Sequence, residues 1–296
     1  MRFLTSPIVW FGGKGNMVHK LVPLIPPHRI YVEVFGGGAS LIFAKRPSPV
    51  EVYNDIDKGL VNFFRVIRDP EKFARFYHLA AFTPYSREEY NFCRATWEEC
   101  EDDVERAYRW FVVARMSFSG AFARSWASAV TSSHKGMAST TSRWLYVLEM
   151  LPRIHERVMR VQIENMDFRE LIPRYDSPDT FHYVDPPYVE ETRRELEVYP
   201  CEMSIDDHRQ LVDLLMTVRG KVMLSGYRHP VYDPLEEVGW KRLDFETYCH
   251  AVGRTRATGV IGEGSAAAHA RVESVWLSPN CFSHSGKQLS FFEGVS

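Results

Sequence analysis

No apolar run in the sequence reaches the roughly 18 residues that a membrane-spanning helix requires. The opening residues, Met1 to Pro7, also lack the apolar core of a signal peptide, so a cytoplasmic protein is expected. Cysteine is sparse: Cys93, Cys100, Cys201, Cys249 and Cys281 make an odd count with no C-x-x-C spacing. Neither a disulfide framework nor a zinc pattern follows, and reduced thiols without a metal are expected. An excess of one charge is lacking too. Lys and Arg number 36 against 38 Asp and Glu, a formal net charge of -2, which taken alone argues weakly against nucleic acid as a partner. The balance hides a division. Residues 86–105 carry two basic and eight acidic side chains, whereas residues 106–160 carry nine basic and two acidic ones. A DNA-binding protein needs a basic face, not a basic total.

What is present bounds the answer further. A chain of 296 residues, 45% hydrophobic and 14% aromatic, suffices for one large domain or for a core domain with an insertion. The run Phe181-His182-Tyr183-Val184 reads as a buried strand, and Asp185-Pro186-Pro187-Tyr188 ends it. Two prolines lack N–H groups and fix φ, so a sheet ladder stops there and a stiff corner results. A carboxylate stands at its start and an aromatic ring at its end. Such a corner suits methylation of an amino group on a nucleobase. The exocyclic nitrogen of adenine is a poor nucleophile because its lone pair is delocalised into the ring. A carboxylate and a backbone carbonyl, each accepting one N–H, localise that pair and stabilise the growing positive charge. The plain alternative is a proline turn closing an ordinary strand.

The N-terminal part carries glycine loops. Trp10-Phe11-Gly12-Gly13-Lys14 offers a ring, permissive backbone and a cation, and Lys14 heads a helix expected to run to Leu24. The strand Tyr31 to Val34 leads into Phe35-Gly36-Gly37-Gly38-Ala39-Ser40 and then an apolar helix start. That is the opening of a doubly wound α/β sheet, with a helix N-terminus facing an anionic group. A second strand, Val50 to Tyr53, ends at Asn54-Asp55, and Asp55 lies 17 residues beyond Gly38. An acid near that position binds ribose hydroxyls. The third glycine of a dinucleotide fingerprint is missing, because residue 41 is leucine. A nucleoside cofactor without pyrophosphate, S-adenosylmethionine, fits better than a nicotinamide dinucleotide.

Further along, Lys58 to Arg68 has helical spacing. The stretch from Asp69 to about Arg157 exceeds a simple crossover and predicts an inserted, mainly helical subdomain. Helices are expected over Glu88–Cys100, Val104–Met116 and Arg143–Arg157, the last interrupted near Pro152, with a mobile loop over Ser125–Arg143. Strands are expected at Val158–Ile163, Lys221–Gly226, Trp240–Phe245 and Val272–Leu277. A helix is expected over Ser204–Arg219, with Ser204 as N-cap and Asp207 at its third position. Val189–Tyr199 and residues 254–270 read as loops.

These motifs together resemble the Dam-type DNA adenine methyltransferases. The resemblance rests on Trp10-x-Gly-Gly-Lys14, Glu33 to Ser40, Asn54-Asp55 and Asp185 to Tyr188, in that family's order, with the insert before the last motif. It departs at Val34, where the family often has proline. It implies a Rossmann-like methyltransferase sheet over residues 1–69 and 158–296 and a target-recognition insert over residues 70–157. It implies S-adenosylmethionine held by Trp10, Lys14, Glu33, Phe35, Gly36, Gly38, Asp55, Asp185 and a short turn at Asp167-Phe168. Catalysis would fall to Asp185, Pro186, Pro187 and Tyr188. Double-stranded DNA would be met by Arg115, Ser119, Gly120 and Arg124, at an element over Met116–Arg124 that the family places at the DNA surface, and by Lys135 of the loop that follows; arginines of the later loop, Arg254 and Arg256, could touch phosphate. Thr192-Arg193 and Tyr199-x-x-Glu202-Met203 are similar to elements of phage and prophage members. A monomer or weak dimer and no metal are expected. Methylation of cytosine, RNA adenine or protein glutamine needs a similar corner; Asp185, rather than Asn or Ser, favours adenine, and the basic insert favours DNA. A binding protein that has lost catalysis and a nicotinamide dehydrogenase remain as alternatives from other classes.

Overall fold

Short runs rich in β-branched and aromatic residues build the sheet, because such side chains pack well on a pleated surface buried from both sides. In this computed structural model, which describes residues 4–10, 12–192, 201–248 and 270–282, the first two strands are β1 (Ile30–Glu33) and β2 (Val50–Asn54). A small pair follows, β3 (Ser133–His134) and β4 (Met137–Ala138). Then come β5 (Gln162–Glu164), β6 (Thr180–Val184), β7 (Lys221–Gly226), β8 (Lys241–Tyr248) and β9 (Ala270–Leu277). The main sheet has seven strands in the order β5-β2-β1-β6-β7-β9-β8. The first five are parallel, and β9 runs antiparallel between β7 and β8.

The connecting helices are α1 (Val18–Leu21), α2 (Ser40–Ala44), α3 (Lys58–Arg68), α4 (Pro70–Ala81), α5 (Arg87–Thr96), α6 (Asp103–Met116), α7 (Ser139–Val158), α8 (Phe168–Tyr175), α9 (Ile205–Thr217) and α10 (Asp233–Glu237). No helix among the described residues is long and apolar enough to cross a membrane. Successive side chains of a strand point to opposite faces, so each central strand feeds two cores. Tyr31, Phe181, Tyr183 and Met223 enter one core, where Phe63, Phe76, Trp110, Phe111 and Trp144 of helices α3, α4, α6 and α7 lie. Val32, Val184, Val222 and Leu224 enter the other, against Leu171 of α8, Leu211 and Leu215 of α9, and Trp276. The doubly wound architecture expected from the sequence is therefore present. The helices of residues 70–157 share one continuous core with the sheet.

Several expected elements differ in extent. The helix from Lys14 to Leu24 is realised as a 3-10 turn, α1 and a second 3-10 turn, because Pro23 cannot supply the backbone donor of a regular helix. Helix α7 begins at Ser139 and passes through Pro152 without a break. Leu148, Leu151, Ile154 and Val158 are all buried, and this packing outweighs the hydrogen bond that Pro152 cannot make. The segment read as a mobile loop over Ser125–Arg143 holds instead the β3–β4 hairpin and the first turn of α7. Lys135 and Gly136 turn that hairpin with φ of 53° and 74°, the left-handed pair a two-residue hairpin loop needs. The helix expected over Glu88–Cys100 ends at Thr96, and the strand expected over Val158–Ile163 is only Gln162–Glu164, since Val158 closes α7. Ser204 and Asp207 form the anticipated reciprocal cap of α9.

Candidate active site

Chain order in the sheet reverses between β1 and β6: β2 lies on one side of β1 and β6 on the other. In open α/β sheets, ligands bind beyond the carboxyl ends of the strands at such a switch point. Glu33 ends β1 and Asp185 follows β6 immediately, so both carboxylates reach one cleft. The cleft encloses about 730 Å³, part of it open to solvent. Trp10, Gly12, Gly13 and Lys14 form one wall; Phe35 to Gly38 and Asp55 to Asp57 form another; Asp185, Pro186 and Pro187 face them.

The glycine loop is shaped by contacts. A Cβ on Gly36 would lie 2.2 Å from Cε2 of Tyr53 and 2.8 Å from the Asn54 carbonyl oxygen, so no other residue fits. The Gly36 N–H donates to that carbonyl at 2.7 Å. Asn54 fastens the neighbouring strand ends, donating to the carbonyls of Val34 at 2.8 Å and Met166 at 3.0 Å. The expected anion site at a helix N-terminus is not built. Helix α2 spans only Ser40–Ala44, and the N–H of Ile42 already donates to Glu33 Oε1 at 3.0 Å.

The electrostatics of the cleft are set by burial. Glu33 is 1% exposed, and its Oε1 also accepts from the Tyr31 hydroxyl at 3.0 Å. Its Oε2 is buried without a hydrogen-bond partner. Desolvation pushes this carboxyl up to about 8, more than the two hydrogen bonds pull it down. Asp55 accepts from the N–H groups of Gly37 at 2.8 Å and Asp57 at 2.9 Å, and burial still pushes its carboxyl up to about 6. Asp185 receives Lys14 Nζ on both oxygens, at 2.7 and 2.8 Å. Burial pushes the Asp185 carboxyl up to about 6, with the Lys14 ammonium opposing the rise and Glu273 adding to it.

The proline corner therefore arrives with its carboxylate in the cleft. Tyr188 sits behind it, 6% exposed, edge-on to Tyr227 with ring centroids 4.5 Å apart. Its hydroxyl donates to Glu273 on β9. Lys14 Nζ lies 4.8 Å from the Tyr188 ring centroid and 3.5 Å from Glu273 Oε1. Among the expected cofactor residues, Trp10, Lys14, Glu33, Phe35, Gly36, Gly38, Asp55 and Asp185 all line the cleft. Phe168 does not; it packs behind Phe35 with centroids 5.7 Å apart. Asp167 caps α8 through the Arg169 N–H and pairs with the Arg169 guanidinium. Sequence reasoning missed Glu273, Tyr183 and Cys201. Tyr183 stands two residues before Asp185 and Cys201 inside the Tyr199-x-x-Glu202-Met203 element, yet neither was read as a site residue, and no motif surrounds Glu273; the fold brings them to the cleft or its floor.

The model of one protein family, the D12 class N6 adenine-specific DNA methyltransferases, matches residues 10–241, well over half of the chain. The chain belongs to that family. It is thus an adenine-specific DNA methyltransferase, and DNA is its substrate. Comparison with curated proteins gave no significant match. Among the described residues, no group of three or more His, Cys, Asp or Glu side chains could hold a metal ion.

The expected DNA contacts fall into three groups. Arg124 and Lys135 are exposed, Lys135 at the tip of the β3–β4 hairpin. Arg115 is half-buried; its guanidinium donates to the Arg143 carbonyl at 3.1 Å, and its Nε has no partner. Burial and the neighbouring Arg143 charge pull it down to about 10, so it supports the fold more than it offers a free cation. Gly120, at φ 74°, leaves no room for a Cβ, which would lie 2.8 Å from Val9 Cγ1. Phe122 follows and packs on Trp10 at 6.2 Å, joining the insert to the cleft wall. The Ser119 side chain, Arg254 and Arg256 lie outside the described residues, as do Arg193, Tyr199 and most of the loop expected after Tyr188.

Proposed function

We propose that this methyltransferase binds S-adenosylmethionine in the cleft between Trp10 and Asp185 and methylates an adenine flipped out of duplex DNA. The observation that carries the reading is the pairing of two carboxylates, the buried Glu33 and the partly buried Asp185, across one cleft at the switch point. The residues suit the cofactor. Glu33 Oε2 is an acceptor without a donor, as an ammonium group would require. Asp55 stands beside Gly37 where ribose hydroxyls need an acceptor, and Phe35, backed by Phe168, offers an apolar face for a purine. Bound there, S-adenosylmethionine supplies an electrophilic methyl group on a sulfonium.

The chain's own residues then prepare the amine. Asp185 and the Pro186 carbonyl accept the two N–H bonds, which localises the nitrogen lone pair and favours the positive charge of the transition state. The base must leave the stack to reach a pocket. Tyr188 stacks on it; because Lys14 and Tyr227 cover the ring, one of them moves as the base enters. Positioning supplies much of the rate gain, so no nucleophilic side chain is required. Residues 70–157, with Arg124 and Lys135, serve as the target-recognition insert and meet phosphate and groove. The reading takes with it a Dam-type enzyme of phage or prophage kind, cytoplasmic, and monomeric or weakly dimeric.

Sequencing of modified bases in DNA from cells expressing the protein tests the reading. N6-methyladenine in one sequence context is expected, and none with Asp185→Ala. Methylation by that variant at the parent rate removes Asp185 from the chemistry.

A further inference from the structure

Glu273 has no counterpart in any motif, lies beyond the family match at residues 10–241, and is 5% exposed. It sits on β9 opposite Phe245 of β8, one residue before the Ser274 that pairs with Gly226 of β7. A buried carboxylate costs free energy unless it is paired and hydrogen-bonded. Glu273 has both kinds of partner: its Oε1 accepts from the Tyr188 hydroxyl and lies 3.5 Å from Lys14 Nζ. Lys14 is itself buried and holds both oxygens of Asp185, at 2.7 and 2.8 Å. One ammonium is therefore shared by two carboxylates, at the two ends of the same four-residue corner.

This arrangement answers a difficulty in the site reading, on which it rests. With both oxygens engaged by Lys14, Asp185 has no oxygen turned solely to an incoming amine. We propose that Glu273 is a positioning residue for methyl transfer: it anchors Tyr188 by the phenol and offers Lys14 a second carboxylate, so that Lys14 can yield one Asp185 oxygen to adenine. A shift of Lys14 toward Glu273 keeps the ammonium paired throughout. Without the second carboxylate, releasing that oxygen would leave the buried ammonium with less opposing charge, since its other acceptor, the Gly12 carbonyl at 3.1 Å, is neutral, and Lys14 would stay on Asp185 instead.

The test compares Glu273→Gln, Glu273→Asp and Tyr188→Phe with the parent enzyme on duplex DNA. The Gln variant keeps an acceptor for the phenol and removes the charge. Its kcat should fall by about tenfold or more while its affinity for S-adenosylmethionine, measured without DNA, stays at the parent value. The acid limb of its kcat profile should move about half a pH unit lower, because a negative charge beside Asp185 is gone. The groups facing Asp185 are Lys14, Tyr183 on β6, Glu33 on β1, Tyr232 and Glu273, and only the last is altered. The Asp variant keeps the charge but falls short of the phenol, so its rate should drop with the limb unmoved. A folded Gln variant with the parent kcat and an unmoved acid limb overturns the proposal. If that variant does not fold, Tyr188→Phe decides: it leaves ring and charge in place, reduced kcat is expected, and the parent rate overturns the proposal. Absence of methylation by the parent itself would be a failure of the site reading, seen before any variant is made.

Discussion

Glu33 ties the protonation of the cleft to the stability of the fold. Its carboxyl is raised to about 8 in the folded chain, against 4.5 for an ordinary glutamate. Between those values the folded state binds more protons than the unfolded one, so this group makes stability fall as pH rises. Glu33→Gln keeps the Oε1 acceptor for Tyr31 and Ile42 and removes the titration. Its thermal stability should match the parent near pH 4 and exceed it near pH 8 by about 3–5 kcal/mol. Equal loss of stability at both pH values would show that Glu33 is not protonated in the folded chain. Binding of S-adenosylmethionine to the same variant should weaken by about tenfold, since an amide cannot pair with an ammonium. Asp185 gives a second pH effect. Its carboxyl, raised to about 6, must be ionised to accept an amine, so kcat/KM should fall as pH drops through about 6. A flat profile from pH 5 to 8 would contradict that role. At this scale the sequence is eloquent where chemistry needs a rare combination. Asp185-Pro186-Pro187-Tyr188 and the glycines beside Glu33 stand out because few other purposes call for them. The pairing of Lys14 with Asp185, 171 positions apart, was legible only as two separate motifs.

Elements were readable in proportion to how fully local pattern decides them. Strand β6 is buried along its whole length and ended by two prolines, and helix α3 spans the residues its apolar spacing marks, from Lys58 to Arg68. Helix α7 was not, because local chemistry and tertiary packing disagree at Pro152 and the core prevails. Pro152→Ala restores a backbone donor to the ladder, and the proline's restriction of the unfolded chain offsets part of the gain. A net stabilisation of about 1–2 kcal/mol by urea denaturation is expected, with activity unchanged. A destabilised variant would mean that the bend or contact made by Pro152 matters more than the missing bond. The β3–β4 hairpin escaped the reading for a different reason. Its turn, Lys135-Gly136, lacks the Asn-Gly or Asp-Gly signature, and its strands are two residues each.

For the whole molecule, the near-neutral total charge conceals a basic stretch that begins in α6 and continues through the hairpin into α7. Replacing Arg124 and Lys135 together with Ala should weaken DNA binding across sequences and reduce the slope of log K against log salt by about one to two units. Affinity for S-adenosylmethionine without DNA should not change. An unaltered salt slope would mean that the hairpin face is not the one DNA meets. The sheet class and the position of the cleft followed from strand order implied by chain order. The floor of the site did not, since Glu273 reaches Tyr188 from 85 residues away and no spacing rule spans that distance.

The insertion of β9 between β7 and β8 has a consequence for biosynthesis. When β8 emerges from the ribosome, its place in the sheet does not yet exist, because the strand it pairs with is still to be translated. The nascent chain therefore exposes the free edge of β7 until residues 270–277 arrive, and with them the carboxylate that receives Tyr188. Competence to modify DNA thus comes late in synthesis, and ribosome-stalled fragments that stop short of β9 should be captured by chaperones rather than accumulate as partial enzymes.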